Sequence, residues 1–147
     1  LLADGRRVIV LGDFNSLSPA DRPLYEACGL LDYHRGRAAS RTDRNLNDGQ
    51  PDFTVHQTLL DAGLTDVVAR HVPLGPGRIT CATALIRPPD ADETAWQRGQ
   101  RRIDFLLADA ELASRSRAAR VFNDASMDAL SDHYPIEADF AWPGDGR

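Results

Sequence analysis

Asp13 and Asn15 stand two residues apart at the end of VIVLGDFNS, residues 8–16, where an aliphatic run suited to a buried strand turns abruptly polar. An i, i+2 spacing in extended backbone turns both side chains the same way, so an acid and an amide can address one ligand at a strand end. A plain turn accounts for GDFN equally well, since Gly, Asp and Asn are favoured turn residues. Asp104 breaks the apolar run RRIDFLLA, residues 101–108. A carboxylate inside a strand buried on both faces is costly unless it is paired. Its partner is either a neighbouring arginine, Arg101 or Arg102, or a distant histidine. Ser131, Asp132 and His133 precede Tyr134 and Pro135. An imidazole needs an orienting acid for directed proton or phosphate chemistry; Asp104 can fill that role while Asp132 faces a metal. Taken singly, a histidine in a loop is usually just solvated, and His34, His56 and His71 are read that way.

The elements that must position these groups follow from the apolar pattern. RVIVL, residues 7–11, reads as a strand covered on both faces and central in a sheet. Ser18 and Pro19 form a cap and first-turn pair for a short helix to about Cys28, stopped by Gly29. LLDY leads into a polar loop, GRAASRTDRNLNDGQ, over residues 36–50. Asp52 opens a helix that places Val55, Leu59 and Ala62 on one face and ends at Gly63; LTDVVARH follows as a short ordered segment. Residues 72–100, with Pro73, Pro76, Pro88 and Pro89, suit a long surface loop. Order returns with RRIDFLLA, a short helix capped by Asp109, a strand over AARVF and a final alternating strand YPIEADFAW.

Composition sets the outer limits. The 147 residues are 42% hydrophobic and 27% charged, as in a folded globular protein. With 17 basic against 22 acidic residues the net charge is −5, so a polyanionic substrate would need local arginines or bound cations. No run approaches the roughly 18 apolar residues of a membrane span, and LLADGRR lacks the pattern of a signal peptide. Cys28 and Cys81 match neither a zinc spacing nor a disulfide framework and read as small core residues. The sequence opens on Leu1 and its one methionine is Met127, so it is expected to be part of a longer protein.

GDFN at one strand end, RIDFLL in a second strand and SDHYPI before the last, in that order over residues 8–138, resemble the endonuclease/exonuclease/phosphatase family. The family includes type I deoxyribonucleases, apurinic endonucleases, neutral sphingomyelinases and inositol-polyphosphate 5-phosphatases. The resemblance implies an α/β fold, a four-layer αββα sandwich, and a metal-dependent hydrolase of phosphoesters. It further implies that Asp13 orients or deprotonates the attacking water and approaches a metal. Asn15 would bind phosphoryl oxygens and stand near the metal, and Asp104 would hold the ring of His133, which donates to the phosphate. Asp132 would be a metal ligand or its support. Mg²⁺, or Mn²⁺ in its place, suits such a set because a hard cation takes oxygen ligands and neutralises phosphoryl charge.

The family's early Asn and metal-binding Glu lie upstream of GDFN, where only eleven residues stand here. Residues 1–147 are therefore expected to be the C-terminal part of a single domain whose N-terminal half is missing, with activity residing in the whole protein. The resemblance implies a phosphoester substrate, whether nucleic acid, phospholipid or soluble phosphate ester, with nuclease action preferred. Arg98, Arg101 and Arg102 form the notable basic cluster, and Arg98 and Arg102 are the candidates to contact a substrate phosphate. A solvated basic loop end fits those arginines equally well. A non-catalytic binding module of the same fold is the competing functional reading.

Overall fold

The computed structural model describes residues 5–38 and 45–142. The first aliphatic run becomes β1 (Ile9–Asp13), and RRIDFLLAD becomes β5 (Asp104–Asp109), paired with it antiparallel so that Asp13 lies opposite Asp104. A short strand, β4 (Leu64–Asp66), pairs with the other edge of β5, giving the order β1-β5-β4. The side-chain alternation of a strand then splits β5 between two environments. Phe105 and Leu107 join Val8, Val10, Phe14, Leu59 and Leu64 on one face. Leu106 and Ala108 join Val67, Leu112, Ala119, Ala138 and Phe140 on the other. The first face is covered by a helix, α3 (Thr54–Asp61), the second by the antiparallel pair β6 (Ser116–Val121) and β7 (Ile136–Phe140). Helix, sheet, sheet is the layer order of an αββα sandwich. Phe105 and Leu107, at 1% and 0% exposure, are each worth roughly 1.5–3 kcal/mol of burial.

Capping places the helices much as their sequence demands. Ser18 Oγ accepts from the Ala20 amide, Pro19 begins a 3₁₀ turn (Pro19–Asp21), and α1 (Arg22–Ala27) continues until Gly29, whose φ of +69° ends it. Asp109 Oδ1 accepts from the Glu111 and Leu112 amides at the start of α6 (Ala110–Ser114). Asp52 Oδ1 accepts from the Thr54 amide before α3, but of the face expected to turn inward only Leu59 does so. His56 is fully buried against the Phe105 ring, at 4.2 Å between centroids, while Val55 is 54% exposed and Ala62 lies on the surface. His34 is buried too, so neither it nor His56 is the solvated histidine expected.

Three other expectations change. β1 is covered on one face only: Val8 and Val10 pack inward, but Ile9 and Leu11 are 42% and 69% exposed, because the packed residues of the β6–β7 pair meet β5. LLDY opens a helix, α2 (Leu30–Ala38), which runs on into the first residues of the expected loop. The far end of that polar stretch forms a hairpin, β2 (Leu46–Asn47) and β3 (Gln50–Pro51), turned at Asp48 and Gly49 with φ of +49° and +73°. Positive φ at both central residues is the turn that matches strand twist, and Asp-Gly is its sequence signal. Residues 39–44 of the expected loop lie outside the described residues. Residues 72–100, which follow α4 (Val67–His71), are not a surface loop throughout: residues 79–83 are buried, and α5 (Glu93–Gly99) lies within the segment. Trp96, on α5, is partly buried and packs against the core cluster of Leu17, Tyr25, Leu30, Cys81, Ala82 and Ile103. Both cysteines are free, Cys81 buried. Among the described residues no helix is long and apolar enough to cross a membrane.

Candidate active site

Directly opposite residues of an antiparallel pair share a face, so the Asp13–Asp104 register brings two carboxylates together at the end of β1 and the start of β5. The loop between β6 and β7 adds the third group. His133 Nδ1 stands 2.8 Å from Asp104 Oδ2, which answers the question of partner in favour of the distant histidine. Ligand atoms of Asp13, Asp104 and His133 all lie within 4.8 Å of one another. With Nδ1 donating to the carboxylate, Nε2 is the ring nitrogen left for a ligand: an acceptor in the neutral ring, a donor once protonated. Asp104 and His133 are mostly sheltered, with side chains 15% and 24% exposed, whereas Asp13 is open to solvent. A cleft of about 310 Å³ opens there, bounded by Leu11, Gly12, Leu106 and Ile136 as well as Asp104 and His133.

Asn15 is held differently from the extended geometry its spacing suggests. Its φ is +45°, a region Asn tolerates better than most residues, and this folds it back onto Asp13. The Asn15 amide donates to Asp13 Oδ1 and its side-chain Nδ2 to Oδ2, each at 2.7 Å. Asn15 therefore fixes the Asp13 carboxylate rather than projecting beside it. Asp132 is exposed and outside the three converging groups; its carbonyl accepts from the Thr83 amide at 3.1 Å and its Oδ1 from Ser131 Oγ at 3.3 Å. The Cys81 thiol is pushed up to about 11, first by burial; Arg101 opposes this, and the carboxylates of Asp104, Asp132 and Asp13 add to it.

No family model and no curated protein matches this sequence. Solved structures do. A 3′ phosphatase, NExo, from Neisseria, bound to product DNA hairpin, matches at a TM-score of 0.56 and 26% identity over 92% of this chain and 46% of its own. The 3′-5′ exonuclease NExo from Neisseria meningitidis matches at 0.56 and 24% over 96% and 48%. The catalytic domain of Xenopus laevis APE2 matches at 0.54 and 20% over 95% and 38%. This is the fold of the endonuclease/exonuclease/phosphatase family. The chain spans less than half the length of each of these structures. Within the endonuclease/exonuclease/phosphatase fold, the GDFN, RIDF and SDH segments of this chain meet at one end of its sheets.

The arginines behave otherwise than expected. Arg102 does not face the site: it is fully buried, its Nε 2.9 Å from Asp21 Oδ2, its Nη2 bonded to Asp66 Oδ2, and its guanidinium 4.4 Å from the Phe105 ring centre. A buried cation needs its carboxylates close by, and Arg102 has two from distant segments, which leaves no part of it exposed to meet a phosphate. Arg98 is exposed on α5 but leans on Gly29, in a separate cleft with Glu26, Asp32 and Gln97. Sequence reasoning missed the acids and the second arginine of this buried network, Asp21, Asp66 and Arg78, and it missed Thr80, fully buried behind Asp104. The local signal for Asp66 was its place before a helix, where its Oδ1 accepts from the Ala69 amide. Thr80 gave no signal beyond its β-branch.

Proposed function

We propose that this chain carries part of the active site of a metal-dependent phosphoesterase of nuclease type, acting on DNA. The observation that carries the reading is the 2.8 Å contact of His133 Nδ1 with Asp104, in one cluster with Asp13. Asp104 fixes the ring so that Nε2 faces outward to donate to a phosphoryl oxygen. Asp13, gripped by Asn15, orients or accepts a proton from the attacking water. Fixed donors of this kind act where negative charge develops on the phosphate. DNA as the substrate class is supported by the Neisseria neighbour bound to a DNA hairpin.

The donor set fits a hard cation. Mg²⁺ is commonly held by one or two carboxylates with waters and substrate phosphate completing its shell. Each Asp13 oxygen keeps a lone pair beyond its bond to Asn15, and Asp104 Oδ1 is not the oxygen engaged by His133. Asp13 and Asp104 would hold Mg²⁺ or Mn²⁺, with Asp132 and Asn15 in support, and the ion would neutralise phosphoryl charge. Because the chain spans less than half of its neighbours, it is read as the C-terminal part of one domain, and activity is assigned to the whole protein. That same short span keeps a non-catalytic binding module as the second reading.

The test is Mg²⁺-dependent hydrolysis by the whole protein of single- and double-stranded DNA, DNA with a 3′ phosphate, an inositol polyphosphate and sphingomyelin. Cleavage of a DNA substrate, falling by about 100-fold or more in His133→Ala, is the expected result. A mutant as fast as the parent removes His133 from the chemistry. A folded, metal-binding protein that cleaves nothing favours the binding module.

A further inference from the structure

Asp104 and His133 come from segments far apart in sequence, and a single residue touches the backbone of both. Thr80 is fully buried. Its Oγ1 accepts from two successive amides, Ile103 N and Asp104 N, each at 3.1 Å. Its carbonyl accepts from Tyr134 N at 2.7 Å, the amide directly after His133. Successive amides of a regular strand point to opposite sides, so two of them meeting one oxygen means that the chain bends as it arrives at β5. β4 ends opposite Leu107, and the Thr80 hydroxyl takes the place of a strand partner at that bend. The following residues continue the strap: Cys81 bridges to Arg101 on one side and to His133 on the other, and Thr83 N donates to Asp132 O at 3.1 Å.

We propose that Thr80 is a positioning residue that sets the separation of Asp104 and His133, its hydroxyl fixing the acid and its carbonyl the histidine loop. The inference rests on the assignment of those two residues to the active site. A serine at this position keeps the oxygen and loses only a methyl. A valine keeps the shape and strands two amide donors, that of Ile103 buried and that of Asp104 partly so, which must then move to find partners. Asp104 moves with its amide, and the contact with Nδ1 loosens.

The experiment reads the His133 ring nitrogens by ¹⁵N NMR in metal-free protein, alongside kcat and KM for the whole protein. The parent and Thr80→Ser are expected to hold the ring as the Nδ1–H form. Thr80→Val is expected to show a mixture of the two ring forms, with kcat lower by about 100-fold and KM little changed, the cost of a small misplacement of reacting groups. Thr80→Cys, of similar bulk and with a weak acceptor, replaces the valine variant if that does not fold, and is expected to lie between the two. Parent-like ring signals in Thr80→Val, or in Thr80→Cys where that variant stands in, overturn the proposal. Ring signals that respond as expected in a protein that cleaves no substrate leave the positioning role standing and refute the hydrolase reading. A parent ring with no fixed Nδ1–H form overturns both.

Discussion

His133 Nδ1 and Asp104 Oδ2 lie 2.8 Å apart although 29 residues separate them in sequence. The bond leaves one ring nitrogen for a ligand, the substrate on the proposed reading, and fixes which one it is. Asp104→Asn replaces an acceptor oxygen with an amide that can present its NH₂ to Nδ1, and so releases the ring to either tautomer. In the whole protein this change is expected to lower kcat by about 10²–10⁴-fold. Stability should shift by no more than about 1.5 kcal/mol, the worth of one ordinary hydrogen bond. Steady-state rates and urea unfolding of the same preparation check both halves of the expectation. A large loss of stability with the specific rate intact would make the pair structural.

Arg102 is bound to Asp21 and Asp66 at zero exposure of its own side chain, and Asp21 also takes Arg78 Nη1 at 2.9 Å. Arg102→Met is expected to destabilise by about 3–5 kcal/mol, since it leaves buried carboxylates short of a partner. The exposed Arg98→Ala should stay within about 0.5 kcal/mol. Urea midpoints at constant slope measure both. An Arg102→Met protein of normal stability but weakened substrate binding would contradict the burial and restore the surface role.

The site was more legible in the sequence than the framework behind it. Asp104 and Asp13 stand out because charge interrupting an aliphatic strand is expensive, and a cost of that kind shows in a local window. The run of Ile103, Phe105, Leu106 and Leu107, apolar at successive positions around Asp104, likewise foretells two covered faces. Arg102 misled because two arginines at a strand start look solvated, and its carboxylates come from residues 21 and 66. The prolines of residues 72–100 correctly forbid long regular structure. What they cannot announce is that residues 79–83 are threaded between Arg101 and His133, since that burial is decided by pairing with both.

His56 supplies a pH dependence of folding. Burial first, then the charge of Arg102, lowers its pKa from 6.5 to about 4, and the ring packs neutral against Phe105. Asp66 stands 3.8 Å from Nε2 and would favour the charged ring, but it is already engaged by Arg102. Between these values the unfolded chain binds the proton and the folded one does not, so stability rises with pH. The contribution is complete above pH 6.5 and is lost as pH falls toward 4, amounting to about 3 kcal/mol at most. Unfolding free energy measured across that window should flatten in His56→Asn. An equal slope in the variant would assign the dependence to other groups.

Leu11 gives a prediction whose sign depends on what surrounds the chain. It lies opposite Leu106 on β1, 69% exposed, with Ile9 exposed two residues before it, and among the described residues β1 pairs with β5 alone. A strand with a free edge and apolar side chains invites pairing with another molecule, which an outward lysine opposes. By itself the chain is therefore expected to associate as its concentration rises, and Leu11→Lys to keep it monomeric, as read by sedimentation velocity. On the proposed reading of the chain as part of one domain, the remaining residues of that domain would cover this face in the whole protein. There the same lysine should destabilise, because a charge is then taken out of water without a partner. A chain that is monomeric at every concentration, or a whole protein indifferent to Leu11→Lys, would mean that this strand has no missing neighbour.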